Sequence, residues 1–189
     1  HLTTDDHISR TSRRLRLLFV GKLMTSKGID DLLDAMELLE HDCKLTIVGP
    51  VRDERYLRRI RDAEQDIRYR GYVEQSVLDR LYYESDIFVF PTRSDVFPLV
   101  TLEAMAAGTP VVSTTVGGLP EQVPESAGIL VPPKQPNQLA DAIDQLLRND
   151  RLRGRMSKAG VKTVHDKYSW DTIAQEAISS YKMMLDLDR

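Results

Sequence analysis

Between Val96 and Val112 the chain reads VFPLVTLEAMAAGTPVV, and Glu103 is the one charged residue in that run. A stretch so apolar is expected to be buried, where an unpaired carboxylate is costly or takes up a proton. Asp95 stands eight residues earlier, at the mouth of the segment. Pro98 suits the first turn of a helix, and Gly108 followed by Pro110 marks its end. Glu103 then shares a helix face with Leu99, Val100, Ala106 and Ala107. Two roles are open to such a carboxylate. It is either a structural acid satisfied by amides or a buried Arg, or a ligand group that accepts hydroxyl protons from a bound polar molecule.

Two more loops carry suitable groups. Gly21-Lys22-Leu23-Met24-Thr25-Ser26-Lys27-Gly28 precedes a helical stripe, and two lysines beside a helix amino end favour an anion. The loop is neither a Walker A sequence nor a G-x-G-x-x-G turn. Thr115-Val116-Gly117-Gly118-Leu119-Pro120-Glu121 holds paired glycines, which let a backbone approach a ligand closely. Each motif has a plain reading: solvated lysines, an acid at a helix start for Asp95, a tight turn at Gly117-Gly118. Their convergence is the stronger signal. Cations suit a diphosphate and a carboxylate suits vicinal hydroxyls, which together describe a pocket for a nucleotide sugar or a dinucleotide.

The elements that would hold these loops alternate. Apolar runs predict strands at Leu15–Val20, Lys44–Val48, Ile67–Arg70, Ile87–Phe90, Val111–Thr114 and Gly128–Val131. Helical stripes fall between them, with a charge-rich helix over Asp53–Gln65 and long helices at Pro136–Arg148, Arg151–Lys167 and Ser169–Leu187. Strands that are apolar throughout, separated by helices, imply a parallel sheet covered on both faces. Such sheets bind ligands at the carboxyl ends of their strands, where the strand order reverses.

Composition narrows the classes. The 189 residues are 41% hydrophobic and 29% charged, which is ordinary for one globular domain and too little for two. A net charge of −3 argues against a general nucleic-acid binder. The basic stretch Arg52, Arg55, Arg58, Arg59 and Arg61 has acids interleaved and reads as a solvated face. One cysteine, Cys43, excludes an internal disulfide framework and fits a reducing, cytoplasmic compartment. The histidines His1, His7, His41 and His165 lie in no metal-ligand spacing. No apolar run approaches a membrane span. The first residue is His1 rather than Met, which suggests an excised piece.

The run SDVFPLVTLEAMAAGTPVV resembles the E-x7-E signature of retaining GT-B glycosyltransferases, a family of sugar transferases for lipopolysaccharide, capsule and glycolipid assembly. The likeness continues in FVGKLMTSKGID, RGYV, SDIFVFPT, GGLPE, GILVPP and YSWDTIAQEAISSYKMML, from Leu15 to the C-terminus. It implies an α/β fold, a Rossmann-like parallel sheet with helices on both faces, which is the C-terminal half of a GT-B protein. Residues 1–14 would then be a linker and 15–189 the donor-binding domain, with the acceptor domain of the same protein lying outside this chain.

Carried over by position, Gly21, Lys22 and Lys27 would meet the diphosphate, and the lysines would stabilise the leaving group. Glu103 would bind the ribose hydroxyls and Asp95 would face the hexose. Amides near Phe97, Leu99 and Val100 would contact phosphate and sugar, and Gly71-Tyr72-Val73 would flank the base. The resemblance implies a donor of the UDP or GDP type, retention at the anomeric carbon, no metal and no further cofactor. It implies membrane association, if any, through the other domain.

Three positions depart from the pattern. Asp95 stands where Glu is usual, Lys22 where Arg is usual, and Pro98 replaces a frequent Gly and donates no N–H. The alternative reading is a free-standing nucleotide-sugar-binding module completed by a partner chain. A dinucleotide-dependent dehydrogenase is disfavoured because the first βα turn lacks the glycine fingerprint. A phosphorylase-like enzyme would need Lys22 or Lys27 as a Schiff-base lysine.

Overall fold

Six short apolar runs make the sheet of the computed structural model, which describes residues 14–169 together with 171, 172, 174, 175, 178 and 179. The first, β1 (Leu15–Val20), is followed by a 3-10 turn at Thr25–Lys27 and by α1 (Ile29–Leu38). Next come β2 (Cys43–Val48), α2 (Arg55–Asp62), β3 (Asp66–Tyr69), α3 (Gln75–Glu84) and β4 (Ile87–Phe90). The second half holds α4 (Leu99–Ala106), β5 (Val111–Thr114), α5 (Leu119–Gln122), β6 (Gly128–Val131), α6 (Pro136–Leu147) and α7 (Asp150–Tyr168). The expected linker over residues 1–14 lies almost wholly outside the described residues, as does much of the expected helix Ser169–Leu187.

All strand pairs are parallel, in the order β3-β2-β1-β4-β5-β6. The order reverses between β1 and β4, where Leu17 pairs Ile87 and Leu18 pairs Phe88. This is the Rossmann-like sheet that the alternation implies, with its crevice at the carboxyl ends of β1 and β4. Leu17, Leu18, Phe19, Leu45, Ile47, Ile87, Phe88, Val89, Val111 and Val112 are wholly buried, so both sheet faces are covered. Helix starts follow local chemistry. Asp30 and Asp31 lie in the first turn of α1, Pro136 opens α6, and the Asn149 side chain accepts from the Leu152 N–H at 2.9 Å to start α7.

The charge-rich helix is shorter than expected, because α2 spans only Arg55–Asp62 and ends as Ala63 turns extended. Its Arg55 and Arg59 are not merely solvated: they pair with Asp30, Asp34 and Asp53, fastening α2 to α1. Cys43 is buried, and burial, followed by the nearby charge of Asp42, pushes its thiol up to about 12. At the amino edge of the sheet, Glu40, His41 and Asp144 come together. Asp144 accepts from the Glu40 amide at 3.1 Å and lies 3.0 Å from His41 Nδ1, tying the end of α1 to α6. Among the described residues no helix is long and apolar enough to cross a membrane.

Candidate functional site

Three loops leave the carboxyl edge on either side of the β1/β4 switch, and hydrogen bonds between them fix their spacing. Thr92 Oγ1 and the Arg93 N–H both donate to the Ser26 carbonyl, at 3.1 and 2.8 Å, joining the β4 loop to the 3-10 turn. Thr114 Oγ1 donates to the Thr92 carbonyl at 2.6 Å, and the Gly118 N–H donates to the Val96 carbonyl at 2.8 Å, joining the β5 loop to the β4 loop. On the far side, the Gly49 N–H donates to Gly71 O at 2.8 Å, linking the loops after β2 and β3. Each loop therefore inherits its position from a buried strand and its neighbour.

A charged fastener reinforces this lacing. Arg93 reaches from the β4 loop to Asp31 in α1 with both forks engaged, Nε to Oδ2 at 2.9 Å and Nη2 to Oδ1 at 2.7 Å. Asp31 is buried, and its carboxylate holds the guanidinium charged even more firmly than usual. The two residues are 62 positions apart. Asp31 gives a faint sign in the sequence: it is an acid inside the apolar stripe of α1, where a buried partner is required.

Lys27 Nζ lies 2.5 Å from Asp95 Oδ2, with both side chains about four-fifths covered, and 5.7 Å from the centre of the Phe90 ring. Asp95 is thus partnered across the switch point rather than acting as a simple helix-start acid. Lys22 is exposed on the same loop and, among the described residues, forms no ion pair. Pro98 is the cap before α4 and not its first-turn residue, and no side chain caps the first-turn amides, which include those of Leu99 and Val100. Phe97 rests edge-on against Tyr168 of α7, with ring centres 6.0 Å apart. Gly71, Tyr72 and Val73 follow β3, and Tyr72 is exposed.

Glu103 departs from expectation. It is exposed, together with Val96, Phe97, Leu99 and Ala106, whereas Thr101, Ala104 and Met105 on the other side of α4 are buried. The helix packs against α7, α3 and strands β4 and β5, and leaves Leu99, Glu103 and Ala106 exposed on its other side. Apolar composition alone does not separate a core face from an open one. The carboxylate is nevertheless fixed, because Tyr82 in α3 donates its hydroxyl to Glu103 Oε2 at 2.8 Å. In the sequence Tyr82 reads only as one member of the apolar stripe of α3; the signal is a phenol where a Phe would pack as well.

Lys27 therefore pairs with Asp95 across the loops of β1 and β4, just before the amino end of α4, and Glu103 lies one turn further along that helix, oriented by the Tyr82 hydroxyl. Known proteins share this framework. The sequence pattern of the family described as glycosyl transferases group 1 matches residues 14–149. An uncharacterized glycosyltransferase of Methanocaldococcus jannaschii, MJ1607, is 39% identical over 177 residues, covering 90% of this chain and 45% of that protein. The GDP-mannose-dependent monoacylated alpha-(1-6)-phosphatidylinositol monomannoside mannosyltransferase of Corynebacterium glutamicum is 33% identical over 166 residues, 82% of this chain and 44% of its own length. Among solved structures, sucrose-phosphate synthase (tll1590) from Thermosynechococcus elongatus superposes with a TM-score of 0.79 at 30% identity, over 93% of this chain and 46% of that one. The chain spans about half the length of the curated relatives it matches. With the family pattern covering the whole sheet and the loops of the crevice, this chain belongs to the glycosyl transferases group 1 family.

Proposed function

We propose that this chain is the donor-binding half of a retaining glycosyltransferase that moves a hexose from a nucleotide-diphosphate sugar to a glycan, lipid or polysaccharide acceptor. The observation that carries the reading is the Lys27–Asp95 pair, which joins the loops of β1 and β4 at the switch point just before the amino end of α4, the helix that carries Glu103. The name of the Corynebacterium relative, which is GDP-mannose-dependent, supports a nucleotide sugar of the UDP or GDP type.

In this reading Lys27 and Lys22 face the diphosphate, and Gly21 allows the backbone close to it. Diphosphate oxygens compete with Asp95 for Lys27, and Asp95 so released accepts hydroxyl protons of the hexose. Leu99 and Val100 amides, with that of Phe97, meet phosphate and sugar, while Glu103 takes the ribose hydroxyls and Gly71-Tyr72-Val73 borders the base. When the bond between the anomeric carbon and the diphosphate oxygen breaks, negative charge grows on the departing diphosphate. The Lys27 ammonium, held beside Asp95, the exposed ammonium of Lys22 and a helix amino end stabilise that charge more than the ground state, with no metal or further cofactor required. The acceptor site belongs to a second, N-terminal domain closing over the donor, so this half alone binds but does not transfer. The greater length of the relatives supports such a domain over a free-standing module completed by a partner chain.

Glu103→Ala tests the ribose contact. Glu103 is exposed and makes one side-chain hydrogen bond among the described residues, so the variant should fold, with a loss of about 1–3 kcal/mol because the buried Tyr82 hydroxyl is left without its acceptor. Its binding of UDP or GDP, measured by calorimetry, should be abolished. Unchanged affinity in the folded variant would remove Glu103 from the site.

A further inference from the structure

Tyr82 occupies a position where the core asks only for a ring. It is 1% exposed, and its ring meets Phe88 edge-on at 5.6 Å between centres. Its backbone carbonyl accepts from Thr109 Oγ1 at 2.6 Å and from the Ser85 N–H at 3.2 Å, so the residue is held at both ends. Its hydroxyl, buried with the ring, donates to Glu103 Oε2 at 2.8 Å. Burial first, then the charge of Glu103, drives the phenol well above its ordinary range, so it stays a proton donor at any working pH.

The partner is an exposed carboxylate on another helix, and among the described residues nothing hydrogen-bonds to its Oε1. A long, solvated Glu side chain loses rotamer freedom when it is pinned this way, and a hydrogen bond to a charged group offsets that loss. Resting on the donor-binding reading above, we propose that Tyr82 is a positioning residue for the ribose: it holds Glu103 by one oxygen and leaves the other to accept vicinal hydroxyls. It thereby sets the selectivity for ribonucleotide over 2′-deoxyribonucleotide donors. Removing the hydroxyl frees Glu103 to swing into water, so a ligand must then order it on binding.

The test is calorimetric titration of UDP, 2′-deoxy-UDP, GDP and 2′-deoxy-GDP into the parent chain and into Tyr82→Phe, with thermal unfolding run in parallel. The parent should prefer the ribose form of the diphosphate it binds. Tyr82→Phe should lower affinity for that form about fivefold to tenfold and leave the 2′-deoxy form within about twofold, so that the preference shrinks. Tyr82→Leu, a second variant without a hydroxyl, is read by the same ratio if the first does not fold. An equal fall for both forms would show a merely structural role and overturn the inference, as would an unchanged ratio. A parent that binds a diphosphate without preferring ribose overturns it too, leaving donor binding intact; a parent that binds no nucleoside diphosphate removes the donor reading and the inference together.

Discussion

Arg93→Ala should lower the free energy of unfolding by about 3–5 kcal/mol, a large share of what a domain of this size has. The reason is what it leaves behind. The Asp31 carboxylate is buried and takes both forks of the Arg93 guanidinium, at 2.7 and 2.9 Å. Without Arg93 that carboxylate must protonate or draw water into the core beside α1. The loss reflects an orphaned charge more than the net worth of the pair, which gives the prediction a second part. The double variant Asp31→Leu with Arg93→Met removes both charges while keeping apolar bulk, so it should recover most of the stability in denaturant unfolding. If Arg93→Ala instead costs less than about 1 kcal/mol, the pair behaves as a solvated surface bridge and the fastener account fails.

Gly28→Ala should be comparably severe, and a neighbouring comparison isolates why. Gly28 closes the 3-10 turn at φ +71°, and a Cβ there would lie 1.7 Å from the carbonyl oxygen of Pro91. A left-handed backbone alone costs an alanine about 1–2 kcal/mol. The clash with main chain adds to this, since relieving it must part the 3-10 turn from the β4 loop, and a total of about 3 kcal/mol or more is expected. Gly71 has nearly the same backbone, φ +67°, but its Cβ would meet nothing closer than Tyr69 Oη at 3.8 Å. Gly71→Ala should therefore show only the conformational part, about 1–2 kcal/mol. Equal losses from the two substitutions, measured by urea unfolding, would mean that the close approach at Gly28 has no energetic weight.

Arg93 and Gly28 belong to the contact zone where the loops of β1 and β4 meet, and this is the part of the molecule least legible in the sequence. The strands are read well. Leu15–Val20, Ile87–Phe90, Val111–Thr114 and Gly128–Val131 have the predicted ends, because each is a largely apolar run with a Gly or Pro at one of its ends. Once the alternation is seen, topology follows, and with it the edge to which the three loops run. What periodicity does not carry is pairing at long range. Arg93 with Asp31, Lys27 with Asp95 and Tyr82 with Glu103 join residues that are dozens of positions or a whole element apart. The exposure of Glu103 is hidden for a related reason. An apolar helix reads the same whether it is covered on all sides or leaves Leu99 and Glu103 exposed along one of them.

The central claim, that this chain carries the site for a nucleotide-diphosphate sugar, is tested most directly by one titration series. UDP, GDP and ADP, each beside its monophosphate, are titrated into the chain by calorimetry, with thermal unfolding recorded at saturation. One diphosphate should bind selectively and at least about tenfold more tightly than its monophosphate, since in the proposed reading Lys22 and Lys27 would meet the second phosphate, and it should raise the unfolding temperature as mass action requires. Equal binding of diphosphate and monophosphate, or no binding by any of the six, would contradict the account.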